Sequence, residues 1–142
     1  MIQDDVFRWT LRIYYEDTDA GGIVYYANYL KYFERARTEW LRQAGINQVD
    51  MASQHQVMFV VKSTLIDYHL PAQLDDEITI TTGIEKLGRA SLVFIQEAWR
   101  HDQRMVSGRF KVGCVSTQSI RPCEIPASVL LSVKENKFPQ TN

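Results

Sequence analysis

The chain has 142 residues, 45% hydrophobic and 23% charged, with 16 Lys and Arg against 17 Asp and Glu for a formal net charge of -1. That size and balance predict one domain with its own core over residues 1–142, and exclude a globally basic nucleic-acid binder and an acidic disordered tail. Two cysteines are too few for a disulfide scaffold or a four-ligand zinc site, and neither a secretory leader nor an apolar run longer than Val57 to Val61 is present, so a soluble cytoplasmic protein is expected.

Val6 to Glu16 alternates, with Phe7, Trp9, Leu11, Ile13 and Tyr15 on one side, and reads as a strand. From about Tyr26 the period changes. Tyr29, Leu30, Phe33, Ala36, Trp40, Leu41 and Ala44 fall at helical spacing, Arg35 and Glu39 form an i,i+4 pair, and Gly45 suits a helix end that needs positive φ. This predicts one long helix of about eighteen residues, with Asn28 the only good cap residue near its start. After an irregular polar stretch, strands are expected over Val57–Leu70, Glu77–Lys86, Ser91–His101 and Met105–Thr117, with Ile78, Ile80, Thr82 and Ile84 sharing a face. Val106, Phe110, Val112 and Cys114 are core candidates in the last of these. A short terminal helix is expected over Pro126–Lys134, with Pro126 in its first turn. One helix against a sheet of long strands is an α+β layer architecture. A single helix leaves sheet edges free, and pairing with a second copy is the usual relief.

The most unusual segment is Glu16-Asp17-Thr18-Asp19-Ala20-Gly21-Gly22-Ile23-Val24-Tyr25-Tyr26. It sets carboxylates beside the start of the long helix, where backbone N–H groups lack intrahelical partners and carry partial positive charge. Such an end can polarise a carbonyl, and a nearby carboxylate can attack it or act as general base on water. Gly21 and Gly22 allow a sharp turn and close approach of a substrate. The same acids could simply cap the helix or sit in a solvated turn. An extended segment would put Asp17 and Asp19 on one side, where each would disfavour the other's charge. For Mg2+ no further oxygen ligands are obvious nearby.

The run from Tyr15 to Leu30, continued through Phe33-Glu34-Arg35-Ala36-Arg37-Thr38-Glu39-Trp40-Leu41, resembles the 4-hydroxybenzoyl-CoA thioesterase family, and within it the YbgC-type acyl-CoA thioesterases associated with the Tol–Pal system. Asp67-Tyr68, Pro71-Ala72, Leu74-Asp75-Asp76 and Ser91-Leu92-Val93-Phe94 extend the resemblance over most of the chain. It implies a hotdog fold, with the long helix wrapped by an antiparallel sheet, in a homodimer or homotetramer. The substrate it implies is a short-chain or aromatic acyl-CoA, hydrolysed to the free acid and CoA. Coenzyme A is then part of the substrate, and neither a separate cofactor nor a metal is required. The resemblance places the catalytic carboxylate on Asp19, as nucleophile or general base, and the carbonyl-polarising amide on the backbone N–H of Tyr26. Asp17 and Gly22 are supporting motif positions. Many similar sequences have His where this chain has Tyr26, a change to which a backbone donor is indifferent. The resemblance also puts CoA-contacting cations at the turn holding Lys86 and Arg89, with Lys62, Arg121 and Lys134 as possible helpers. Two rival functions remain. One is a binding protein for acyl carrier protein or the Tol–Pal envelope machinery with weak hydrolysis. The other is a hotdog dehydratase, against which the lack of His in residues 16–26 argues. His55 and His101 are expected to be exposed, Asp67 and His69 to face outward near a strand end, and Cys114 to be a buried small hydrophobe.

Overall fold

The structure, a computed structural model, describes Ile2 and residues 5–137, so both ends of the expected domain lie outside the described residues. Its strands are β1 (Phe7–Arg12), β2 (Val57–Tyr68), β3 (Glu77–Leu87), β4 (Ser91–Arg100) and β5 (Gln103–Ser116). Its helices are α1 (Asn28–Gln43), the single turn α2 (Gln48–Asp50) and α3 (Ala127–Lys137). The sheet runs β1-β3-β4-β5-β2, each neighbour antiparallel to the next. Sequential hairpins join β3, β4 and β5. Because α1 separates β1 from β2, these two close opposite edges of the sheet.

Alternation in the strands and helical spacing in α1 meet in one core. The helix buries Tyr29, Tyr32, Phe33, Ala36, Arg37, Trp40 and Leu41. Against them the sheet turns every second residue: Ile78, Ile80 and Thr82 of β3, Leu92, Phe94 and Ala98 of β4, Val106, Phe110 and Cys114 of β5. The rings of Phe33 and Phe110 lie 5.2 Å apart and those of Trp40 and Phe94 5.8 Å apart, within the range of favourable aromatic pairs. One polar group sits among them. Gln96 is fully buried; its Nε2 donates to the Phe33 carbonyl and the Thr82 hydroxyl, both at 2.9 Å, and its Oε1 accepts from Arg37 at 2.9 Å. A helix wrapped on one face by a curved antiparallel sheet is the hotdog arrangement. Among the described residues no helix is long and apolar enough to cross a membrane.

Several element ends differ from the sequence expectation, each for a local reason. β1 stops at Arg12 because Asp17 Oδ2 takes the Tyr14 N–H at 2.7 Å and pulls Tyr15–Asp17 into a 3-10 turn. β2 stops at Tyr68 because the N–H groups of His69 and Leu70 both converge on the Met105 carbonyl. The long helix is two residues shorter than expected and begins at Asn28. Its C-terminus closes as a Schellman motif: Gly45 has φ +83°, Ile46 N–H donates to Leu41 and Gly45 N–H to Arg42. Leu30 lies on the exposed flank rather than in the buried stripe. Glu39 pairs with Arg42 at 3.4 Å and not with Arg35. The polar stretch after Gly45 is helical, started by Asn47, whose side chain accepts from Val49 and Asp50, and continued as a π-turn over Met51–His55. Left-handed Gln56 ends it.

The other sheet face is open. The edge strand β2 leaves Leu65 61% exposed on this face and Val61 49% exposed on the helix side, near Leu41 and Phe94. It bulges between Val61 and Ser63, which lays the Lys62 chain over Gly113.

Candidate active site

The loop from Ile13 to Ala27 lies at the end of the sheet where β3 begins. Ile13 exchanges backbone hydrogen bonds with Asp75 and Asp76, Val24 N–H donates to Ala72 at 2.8 Å, and Ile23 bridges to Gln73. Asp17 holds the loop from within. Its side chain caps the 3-10 turn, while its carbonyl accepts both the Tyr25 N–H (3.0 Å) and Asn28 Nδ2 (2.9 Å). The extended segment that would set Asp17 and Asp19 on one side does not form, because Tyr15–Asp17 is helical.

Asp19 opens a tight turn. Its N–H donates to the Ile23 carbonyl at 2.9 Å, its carbonyl accepts from Gly22 at 3.0 Å, and Gly21 N–H donates to its Oδ1 at 2.9 Å. Among the described residues Oδ2 meets no donor, and the side chain is exposed. Gly22 makes this turn possible, with φ +79° and open space where a Cβ would stand. Gly22→Ala therefore has no clash to relieve, and its cost is conformational alone, about 1–2 kcal/mol in the left-handed region. A loss of that size in chemical denaturation is the expected result.

Five residues past this turn's close at Ile23, the chain enters α1 without a side-chain cap. The N-cap is Ala27, and the Asn28 amide reaches back to Asp17 instead of capping the helix. Tyr25 and Asn28 spend their N–H groups on the carbonyls of Asp17 and Tyr25. The Tyr26 N–H, just before the Ala27 cap at the electropositive helix end, donates to nothing among the described residues and is open to a ligand.

Beside it lies a small apolar cavity of about 220 Å³, walled by Ile23, Val24, Tyr26, Tyr29, Tyr68 and Leu70. Tyr68 reaches over from β2: its Oη donates to the Tyr26 carbonyl at 3.2 Å, and its ring meets Tyr26 edge-on at 6.1 Å. The Tyr26 ring is 61% exposed and serves as a wall. Burial pushes the Tyr29 phenol up from its ordinary value even though its oxygen accepts the Ala72 N–H. Tyr32 Oη, fully buried with no hydrogen-bond partner among the described residues, is pushed up first by burial and then by the nearby Asp17 carboxylate. Both phenols are therefore neutral donors or acceptors at neutral pH.

The two expected CoA-binding cations lie elsewhere. Lys86 and Arg89 are exposed at the far end of β3, ten residue steps or roughly 33 Å from the loop along an extended strand. Lys86 lines a groove of about 670 Å³ on the open sheet face with Arg109 and Lys111, and Arg109 is paired with Glu85. Arg89 stands outside that groove, on the turn itself. Within one chain the structure thus brings Asp17, Asp19, Gly22 and Tyr26 together, and keeps Lys86 and Arg89 apart from them. Lys62, Arg121 and Lys134 are exposed and join neither group. Asp67, His55 and His101 are exposed as expected, and His69 is exposed with Nε2 3.0 Å from the Ser107 hydroxyl. Sequence reasoning missed Tyr68 as a wall of the site, since it lies forty-two positions from Tyr26 and no local pattern links them.

The thioesterase-like superfamily model matches residues 14–133. An acyl-CoA thioesterase YbgC of Haemophilus influenzae is 40% identical over 126 residues, 89% of this chain and 93% of that protein. An acyl-CoA thioester hydrolase YbgC of Escherichia coli is 39% identical over 131 residues, 92% of this chain and 97% of that protein. The crystal structure of a probable thioesterase from Bartonella henselae superposes with a TM-score of 0.81 at 32% identity, covering 85% of this chain and 99% of that one. Matches of this extent, on a hotdog sheet with its loop at the helix start, show that the chain belongs to the thioesterase-like superfamily and, within it, to the family of YbgC acyl-CoA thioesterases.

Proposed function

We infer that this chain hydrolyses acyl-CoA thioesters to the free acid and CoA, and that residues 17–26 carry the chemistry. The observation that carries the reading is the pairing of an open helix-end N–H at Tyr26 with a glycine turn that presents Asp19 with one oxygen anchored and the other free. The thioester carbonyl accepts from Tyr26 N–H, which also stabilises the negative charge that builds on this oxygen during attack. Asp19 Oδ2 attacks the carbonyl carbon to give an acyl anhydride that water then hydrolyses, or takes a proton from a water that attacks directly; in either route the CoA thiolate leaves and the free acid is released. The small aromatic cavity beside Tyr26 suits a short or aromatic acyl group. No metal or separate cofactor enters these steps. A cytoplasmic location accords with CoA as the donor, and acyl carrier protein is the alternative carrier of the same thioester.

The sheet's geometry supports a homodimer joined at β2, itself able to pair into a tetramer. The twelve-residue β2 is an unpaired edge with exposed apolar side chains. Two-fold pairing of β2 edges runs them antiparallel. Tyr68, beside the loop of one copy, then approaches the sheet end where Val57 and the Arg89 turn of the other copy lie. Arg89 and Lys86 reach the CoA phosphates in that arrangement, across the subunit boundary. Arg89→Ala is expected to raise KM for acyl-CoA about five- to tenfold with kcat kept, and to leave thioesters of a truncated pantetheine unaffected. Mixing Arg89→Ala with Asp19→Asn protein, under conditions that exchange subunits, should recover the wild-type KM at about a quarter of all sites, because each mixed dimer carries one intact site. No recovery on mixing would place Asp19 and Arg89 in separate sites.

A further inference from the structure

Two thiols that the hydrolytic site does not use lie directly behind the Arg89 turn. Cys114, on β5, is fully buried, and Cys123, on the strand-like segment leading to α3, is half-buried. Their sulfurs are 3.7 Å apart and both are free. The two residues face each other as an antiparallel pair: Cys123 N–H donates to the Cys114 carbonyl at 2.9 Å, and Val115 bridges to Pro122 next to them. Directly opposed residues of a hydrogen-bonded antiparallel pair have Cα atoms about 5.5 Å apart, inside the span of a disulfide. Joining the sulfurs requires them to close by about 1.7 Å from 3.7 Å, a movement that side-chain rotation and a small backbone shift supply.

The surroundings give the pair a consequence. Cys114 N–H donates to the Ala90 carbonyl at 2.8 Å, and Ile125 N–H, two residues after Cys123, donates to the Arg89 carbonyl at 2.7 Å. Both halves of the dithiol therefore hold the same turn by its backbone. We propose that Cys114 and Cys123 are a peroxide-sensitive dithiol, and that their disulfide fastens the segment before α3 to β5 behind the Arg89 turn.

The chemistry balances with a hydroperoxide as oxidant. The Cys123 thiolate attacks the peroxide oxygen, giving a sulfenic acid and releasing water or an alcohol. Cys114 sulfur then attacks the Cys123 sulfur, and hydroxide leaves with the Cys114 proton as water. Two thiols lose two electrons and two protons, and the peroxide O–O bond is reduced. The order of the two steps follows from access, because Cys114 is buried and Cys123 is the one solvent reaches. Burial, and then the contact with Cys123, push the Cys114 thiol up to about 12, so it stays protonated until its neighbour is oxidised.

The test treats the folded full-length protein with hydrogen peroxide, then alkylates it under denaturing conditions. The expected product is two hydrogen masses lighter, unalkylated at both cysteines, and yields one peptide pair joined through Cys114 and Cys123; dithiothreitol reverses it. Amide exchange at Cys123 and Ile125 should slow about fivefold or more in that form. Cys123→Ser should leave Cys114 alkylatable after the same treatment. Two alkylated cysteines, a sulfinate on Cys123 alone, a disulfide between chains, or unchanged amide exchange would each overturn the proposal. These readouts do not depend on thioester hydrolysis. The added expectation that the disulfide moves KM for acyl-CoA about threefold or more rests on the reading of Arg89 as a CoA contact, which the truncated thioesters test separately.

Discussion

Asp19→Asn is expected to lower kcat for acyl-CoA hydrolysis by about three orders of magnitude and to leave the melting curve in place. The expectation follows from what the substitution keeps. An amide oxygen still accepts the Gly21 N–H that holds Oδ1, and the backbone turn closed by Gly22 and Ile23 does not involve the side chain. What disappears is the charge and basicity of the free oxygen. If Tyr26 N–H binds the carbonyl alike in wild type and variant, KM moves little, and the loss falls on kcat. Circular dichroism and thermal unfolding check the fold, and thiol release checks the rate. Turnover within about tenfold of wild type would remove Asp19 from the reaction, since proton transfer alone contributes more than that. A single turnover of wild-type enzyme in water labelled with heavy oxygen then separates the two routes. Label on the Asp19 carboxylate identifies attack by Asp19 followed by opening of the acyl anhydride at the aspartyl carbon, whereas a general base puts label in the acid product alone.

Most of the fold was legible because its signals are local. Strict alternation at Ile78, Ile80 and Thr82 marks a strand whose one face is fully buried, and the spacing of Tyr29, Phe33, Ala36 and Trp40 marks a helix with one buried stripe. The expected ends of β3, β4 and β5 fell within two residues of those observed, because turn residues and the loss of alternation stop a ladder locally. Where the reading failed, a side chain had captured a backbone group. Asp17 taking the Tyr14 N–H shortened β1, and Asn28 turning back to Asp17 left the helix without the cap that Asn28 had promised. Such captures depend on a specific rotamer, which composition and period do not carry.

The candidate site divides along the same line. Its loop is contiguous in sequence, so Asp17, Asp19, Gly22 and Tyr26 could be found together from their order alone. Its cavity is not contiguous, and Tyr68 arrives from a strand that pairs with β5 at the opposite edge from β1. The cations are further away still: Lys86 stands near the end of β3 and Arg89 on the turn after it, at the opposite end from the residues before Glu77 that anchor the loop. On the function proposed above, a single chain offers half of an acyl-CoA site at each end of its sheet. That division makes the edge strand β2 as much a part of the proposed function as the loop, and it gives the open sheet edge a purpose beyond assembly.

The largest effect on stability is expected at Gln96, where Gln96→Leu should cost about 3 kcal/mol or more in chemical denaturation. The shape changes little, but the hydrogen bonds of a charge are lost. Arg37 is only 7% exposed, and its guanidinium is held by Gln96 Oε1 at 2.9 Å and by the face of Phe110, 4.5 Å from the ring centroid. Burial lowers the Arg37 pKa to about 10, so the folded state releases this proton before the unfolded state does. Between pH 10 and the ordinary guanidinium value the unfolded chain holds more protons, and this group's contribution to stability rises with pH there. Below pH 10 the charge is present in both states, and its burial counts against folding. Removing Gln96 in that range leaves a buried cation with the Phe110 face as its one specific contact among the described residues, and strands the Thr82 hydroxyl as well. In an Arg37→Met background the same Gln96→Leu change no longer exposes a charge to an apolar core. Its cost should then fall by about 2 kcal/mol, a coupling that a double-mutant cycle measures directly. Additive costs would mean that Gln96 is held for the Phe33 carbonyl and Thr82 alone, with Arg37 drawing its compensation from Phe110 and from the charge of Glu34.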